Sequence, residues 1–126
     1  MKDTKIFNKL QKTRGDIGED IAVKFLKNKG FEIIDRNYRT RNGEIDIIAK
    51  DKDSLVFIEV KFRKNAEFGQ PYEFVDKKKK NKLIKAIKYY LLKKHLHNIN
   101  YRLDIVSIVE QPDLQIDHFE NITENF

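Results

Sequence analysis

Cysteine is absent from the 126 residues, which excludes disulfides and thiolate metal sites. Only two prolines and five glycines occur. They leave little room for a hinge or linker, and there is no internal repeat or low-complexity tract. No stretch approaches the ~20 consecutive apolar residues that a membrane-spanning helix needs. The opening residues, MKDTKIFNKLQKTRGD, hold no apolar segment of a secretory signal. A soluble cytoplasmic protein is therefore the expectation, and the Asn121-Ile122-Thr123 acceptor pattern carries no meaning for glycosylation. Also missing are a P-loop, a dinucleotide fingerprint, His-Glu-x-x-His and Gly-x-Ser-x-Gly. Cofactor-based redox chemistry and serine hydrolysis have no support.

What the chain does carry is positive charge. The formal net charge is +6 and the sequence pI is near 9.4, a balance that favours an anionic partner, nucleic acid first. The length fits one domain over residues 1–126, enough to bury roughly two-thirds of the unfolded surface. Residues 1–13 read as a basic arm.

Periodicity predicts a helix over 14–29 from Ile17, Ile21, Phe25 and Leu26, stopped by Gly30. Gly15, Gly18 and Ala22 lie on or near one face, which would let that helix approach a sheet closely. Three strand-like runs follow at 31–38, 44–50 and 55–63, separated by turns over 39–43 and 51–54. After a loop with Gly69 and Pro71, a long helix is expected at about 74–95, with Asp76 as a cap or first-turn acid and Leu83, Ile87, Tyr90 and Leu91 as its apolar stripe. Strands at 101–109 and 114–119 complete the order α-β-β-β-α-β-β, an α/β or α+β domain with a mixed sheet. The helix between strands three and four allows those two to be parallel.

The third strand, SLVFIEVKFR at 54–63, is apolar on both pleat faces, yet it carries Glu59 and Lys61 on one of them. Folded as a hairpin across 51–54, it brings Asp46 opposite Glu59 and Glu44 opposite Lys61, with period-two alternation placing all four on one face. A bulge in the hairpin would separate them. Opposed carboxylates repel. Either one takes a proton or a cation sits between them. A hard divalent ion suits such a pair, because Mg²⁺ is held by one or two carboxylates, keeps several waters and completes its shell with phosphate. Lys61 beside it could orient or help deprotonate a water, or meet charge growing on a phosphate. The product is a metal-assisted phosphodiester hydrolase. The bland alternative is an ion pair of Lys61 with Glu59 or with Glu44, but it does not account for Asp46 opposite Glu59.

Asp46, followed by Glu59-Val60-Lys61, resembles the PD-(D/E)xK nuclease signature on a β-hairpin. The segments GEDIAVKFLKNKGFEIIDRNYRTRNGEIDIIAKD and LVFIEVKFRKNAEFGQPYEFVDKKKKNKL are similar to the YraN family of predicted endonucleases, distantly related to archaeal Holliday junction resolvases. The likeness spans about residues 14–109. It implies a restriction-endonuclease-like core, Asp46 and Glu59 as metal ligands for Mg²⁺ or Mn²⁺, Lys61 as the catalytic lysine, and Glu19 as the additional acid near the metal, directly or through water. Ile45, not proline, precedes Asp46, which departs from the wider superfamily signature but not from the YraN-like pattern.

The second helix carries nine lysines in residues 77–94. Like charges spaced i,i+4 repel, and phosphate contact is a physical reason to tolerate them. Lys78, Lys82 and Lys85 fall opposite the apolar stripe and are the expected nucleic-acid contacts. Arg36, Arg39, Arg41 and Arg63 extend that surface. Phe68, Tyr72 and Tyr38 could stack on bases and Gln70 could touch phosphate, although lids and loop amides are the commoner roles. His95 and His97 point apart on a helix, and His118 is expected to stand alone.

The leading expectation is a metal-dependent DNA endonuclease, acting on branched or otherwise structured DNA; a two-fold junction would suit a homodimer. Its rivals are a catalytically inactive nucleic-acid-binding module on a nuclease-like scaffold, and a subunit whose basic face meets an acidic protein.

Overall fold

The computed structural model of the chain describes residues 14–65 and 77–122. Helix α1 (Arg14–Asn28) is closed by glycine chemistry. Gly30 takes φ +96°, its amide donates to the Lys27 carbonyl at 3.0 Å, and the Phe31 amide donates to the Leu26 carbonyl at 3.0 Å. Leu26 and Phe31 are both buried at this closure, as a Schellman cap favours. Strands β1 (Glu32–Thr40), β2 (Gly43–Asp51) and β3 (Ser54–Arg63) then run antiparallel. Helix α2 (Lys77–Lys93) leads to β4 (Asn100–Val109), which is parallel to β3 from Ser54 beside Asn100 to Arg63 beside Val109. Strand β5 (Gln115–Phe119) returns antiparallel along β4.

The sheet order is β1-β2-β3-β4-β5. The architecture is a mixed α+β fold whose five-stranded mixed sheet is flanked by two helices, consistent with the restriction-endonuclease-like expectation. Strand β3 lies in the middle, which accounts for its apolar faces. Val56 and Ile58 pack with Ala22, Val23 and Leu26 of α1, while Leu55 and Phe57 pack with Leu83, Ala86, Ile87 and Tyr90 of α2. The helices therefore cover opposite faces.

Two details depart from the periodicity. Ile17 is exposed, because the close approach of α1 is made instead at Gly18, where a Cβ would lie 2.6 Å from Phe62 Cδ2. Helix α2 ends at Lys93; His95 takes φ +56° and the Leu96 amide donates to the Leu91 carbonyl at 2.9 Å, so His95 and His97 lie beyond the helix. Among the described residues no helix is long and apolar enough to cross a membrane. The basic arm, the loop with Gly69 and Pro71, the Asp76 cap, and Phe68, Gln70 and Tyr72 lie outside the described residues.

Candidate metal centre and nucleic-acid interface

The β2–β3 hairpin has the register expected from its turn, with Asp51 beside Ser54 and Ile47 beside Ile58. The ladder stops there. Beyond it β2 stays with β1, pairing Tyr38 with Ile45 and Thr40 with Gly43, while β3 stays with β4. The sheet thus opens between its two central strands at Asp46 and Glu59. Asp46 bridges the opening, its Oδ2 accepting the Val60 amide at 2.8 Å.

The simple pleat is also broken here. Ile45 and Ile48 belong to the core under α2, whereas Ile47 and Ala49 belong to the core under α1, so alternation slips once between residues 45 and 47. Across from the slip on β1, Asn37 has φ +52°. The expectation that Glu44, Asp46, Glu59 and Lys61 share a face by unbroken alternation is corrected accordingly: they converge because the strands splay. Together with Glu19 and Lys79 they line one basin of about 450 Å³.

The electrostatics follow from that crowding. Burial, and then the neighbouring charge of Glu59, push the Asp46 carboxyl up to about 7, against the Val60 hydrogen bond. Glu59 is buried, and both Lys79 Nζ at 3.1 Å and Lys61 Nζ at 3.7 Å approach its Oε1. Burial pulls the Lys61 ammonium below its usual value, Lys79 adds to this, and Glu59 opposes it. Glu44 pairs with Arg39 at 3.5 Å, not with Lys61 as its opposite position suggested.

Glu19 reaches the basin from α1 and is itself buried. Burial raises its pKa, while the Arg36 guanidinium, 3.0 Å from its Oε1, opposes the rise. Arg36 also holds Asp20 at 2.6 Å. Its expected place on the outer basic surface is therefore corrected: it is tied to two acids of α1. Among the described residues no three acids or histidines come close enough together to enclose an ion. What remains is the Asp46–Glu59 pair, a donor set that suits a magnesium-class ion completing its shell with water, with Glu19 lining the same basin.

A basic furrow adjoins the basin. Its first part, about 440 Å³, is lined by Lys78, Lys79 and Lys82 with Glu44 and Glu59. Its second part, about 450 Å³, is lined by Arg39, Arg41, Lys82 and Lys85. Lys78, Lys82, Lys85, Arg39 and Arg41, all expected to meet nucleic acid, therefore fall along one track. Gly43 makes this possible, since a Cβ there would lie 2.9 Å from the Lys82 carbonyl oxygen, so only glycine lets the β1–β2 turn sit on α2. Arg63 is half-buried at the end of β3 and lines neither the basin nor the furrow.

Two groupings escaped the sequence. Lys79 is one turn before Leu83 on the buried stripe of α2, and a lysine at a stripe position was the available signal. His118 is not alone: its Nε2 lies 2.8 Å from Asp104 Oδ2 and its Nδ1 lies 2.7 Å from Lys29 Nζ.

Comparison with known proteins adds the following. Residues 18–108 match the model of a family described as "Uncharacterised protein family UPF0102". A UPF0102 protein of Clostridioides difficile is 46% identical over 97 residues, covering 77% of this chain and 85% of its own. One from Carboxydothermus hydrogenoformans is 44% identical over 110 residues, 86% and 92% of the two chains. One from Dictyoglomus turgidum is 41% identical over 112 residues, 89% and 95%.

Proposed function

Because this chain belongs to the uncharacterised protein family UPF0102, whose name carries no activity, we propose on its own geometry that it is a divalent-metal-dependent endonuclease hydrolysing phosphodiester bonds of DNA, branched or structured DNA above all. The observation that carries the reading is the opened β2–β3 ladder, where Asp46 and Glu59 share a basin that pushes the Asp46 carboxyl up to about 7. Such a pair is comfortable only with a proton or a cation.

Asp46 and Glu59 would hold the ion. When bound, it supplies Lewis acidity to a phosphoryl oxygen and makes water more acidic. The chain's own groups supply the rest. Lys61 sits at the basin with an ammonium whose pKa burial has lowered, which suits it to orient a water or to take its proton. Arg39, Arg41, Lys78, Lys82 and Lys85 line the furrow that would carry the phosphate backbone, and Glu19 with Arg36 braces α1 against the site.

The test is incubation with Mg²⁺ or Mn²⁺ and linear, flapped, gapped and four-way DNA. Cleavage is expected to disappear in Glu59→Ala and Lys61→Ala while binding persists. A folded wild type that cuts none of these substrates, yet binds them with steep salt dependence, would replace the reading with that of a binding module.

A further inference from the structure

Glu59 is one carboxylate with two lysines on the same oxygen. Lys61 belongs to its own strand, but Lys79 reaches in from the first turn of α2 and comes nearer, 3.1 Å against 3.7 Å. Its position is unusual in another respect. Lys79 continues the buried stripe of Leu83, Ala86, Ile87 and Tyr90, yet it is a lysine, and its side chain keeps 39% exposure. It lines both the acidic basin and the furrow of Lys78 and Lys82. A long, flexible stem places one ammonium where it serves either an internal acid or an external anion.

We propose that Lys79 is an exchangeable counter-cation: it neutralises Glu59 while no divalent ion is bound, gives that position up when one binds, and then contacts a phosphate of the strand lying in the furrow. The inference rests on the metal-dependent reading above and adds to it a residue outside the acid–acid–lysine set.

Its logic is charge balance. Glu59 is buried, and a buried carboxylate is costly unless paired. Before an ion arrives, Lys79 supplies the pairing. A dication on Glu59 leaves two ammonium groups beside a site of added positive charge, and Lys79, the more exposed of the two, has the stem length to turn toward the furrow. There a phosphate offers the replacement partner. The exchange links ion binding and strand binding with opposite signs: Lys79 competes with the ion for Glu59 and cooperates with the strand.

That sign reversal is the test. Mn²⁺ binding to the full chain without DNA is measured by calorimetry and by the loss of free-Mn²⁺ paramagnetic resonance signal, for wild type, Lys79→Met, Lys79→Arg and Glu59→Ala. DNA binding is measured in parallel by fluorescence anisotropy, in Ca²⁺ so that the strand stays uncut. Lys79→Met is expected to bind Mn²⁺ roughly two- to fivefold more tightly than wild type, the share of a partly exposed ion pair, and to bind DNA more weakly. Lys79→Arg keeps the charge and is expected to match wild type in Mn²⁺ affinity. Circular dichroism checks that each variant is folded, and Lys79→Gln serves if Lys79→Met is not. If wild type binds Mn²⁺ and Glu59→Ala does not, but Lys79→Met leaves Mn²⁺ affinity unchanged or weakens it, the exchange is overturned and the metal reading stands. If wild type binds no Mn²⁺, both fall.

Discussion

Asp46 on β2 and Asp104 on β4 are aspartates within one sheet, and their surroundings treat them in opposite ways. Asp104 is fully buried, and burial alone would push its carboxyl up. Hydrogen bonds from His118 at 2.8 Å, Arg102 at 3.0 Å and the Asn121 amide at 2.8 Å more than reverse that, so its pKa falls below the ordinary 3.8. Asp46 has one amide donor and an acidic neighbour, and its pKa rises to about 7. The difference lies in the partners: one acid is supplied with its hydrogen-bond donors by the fold, and the other is left for something to be added. A satisfied buried acid fixes structure, whereas an acid held at an unfavourable charge is where function is to be sought.

Removing Asp104 tests the satisfied side of this contrast and carries the largest expected effect on folding. Asp104→Ala leaves Arg102 and the buried His118 without their shared acceptor and is expected to cost about 3–5 kcal/mol, read as a lowered urea midpoint at an unchanged slope. Because the folded pKa is depressed, the stabilisation from Asp104 is present above about pH 4 and disappears as acid protonates it. The variant should therefore lose little more in acid, where wild type loses this stabilisation. A loss under 1 kcal/mol at neutral pH would erase the distinction.

Asp46 should behave in reverse. In the proposed nuclease, Asp46→Asn is expected to lower cleavage by about a hundredfold or more, the scale of a lost electrostatic group. In metal-free buffer the same change should stabilise the fold. Its folded pKa lies above the unfolded 3.8, so below pH 4 the carboxyl is protonated in both states and costs nothing. Between about pH 4 and 7 the unfolded chain ionises first and the folded state loses stability, and above 7 the loss is complete. Asp46→Asn is then expected to match wild type near pH 4 and to exceed it by about 1–3 kcal/mol at pH 8. Denaturation in EDTA at the two pH values checks this, and a variant weaker at pH 8 contradicts it.

How much of this contrast is legible from residue order follows from the range of each interaction. The two-residue turn at Lys52-Asp53 sets the β2–β3 register as far as Ile47 beside Ile58, and short turns with a buried face leave little freedom; that Asp46 and Glu59 come at the same end of the hairpin is readable for that reason. The slip at Asp46 is not, because it depends on a side chain taking the Val60 amide from across the opening. Arg36 reads as surface charge by order alone, but its partners Glu19 and Asp20 come from a helix, 17 and 16 residues away. Asp104 draws no notice, although RLDIVSIV places an acid in an apolar run much as IEVK does at Glu59. What separates those two acids is the arrival of His118 from β5, and pairing across β4 and β5 brings residues 14 apart together.

The same titration makes a smaller prediction about metal. An ion on Asp46 must displace its proton, so apparent Mn²⁺ affinity is expected to fall below about pH 7, by up to about tenfold per pH unit, and to level off above it. Isothermal titration at pH 6, 7 and 8 measures this, and a flat profile would mean that Asp46 does not bind the ion.

The smallest effect belongs to the exposed lysines of the furrow. Lys78, Lys82 and Lys85 lie on the solvent side of α2, opposite Leu83 and Ile87, so neutralising them should leave both the fold and the two aspartates unchanged. Each phosphate that a lysine neutralises adds about 0.9 to the slope of log affinity against log salt on duplex DNA. Replacing Lys78, Lys82 and Lys85 together by glutamine is therefore expected to reduce that slope by about two to three, with the weakening spread evenly over unrelated sequences, since phosphate contacts position the strand without reading bases. Anisotropy titrations over a fourfold range of salt resolve the change. If the slope stays at its wild-type value, the strand does not run between the β1–β2 turn and α2, and the basin with its opposed carboxylates must be approached from the α1 side, where Asp16 and Glu19 would repel it.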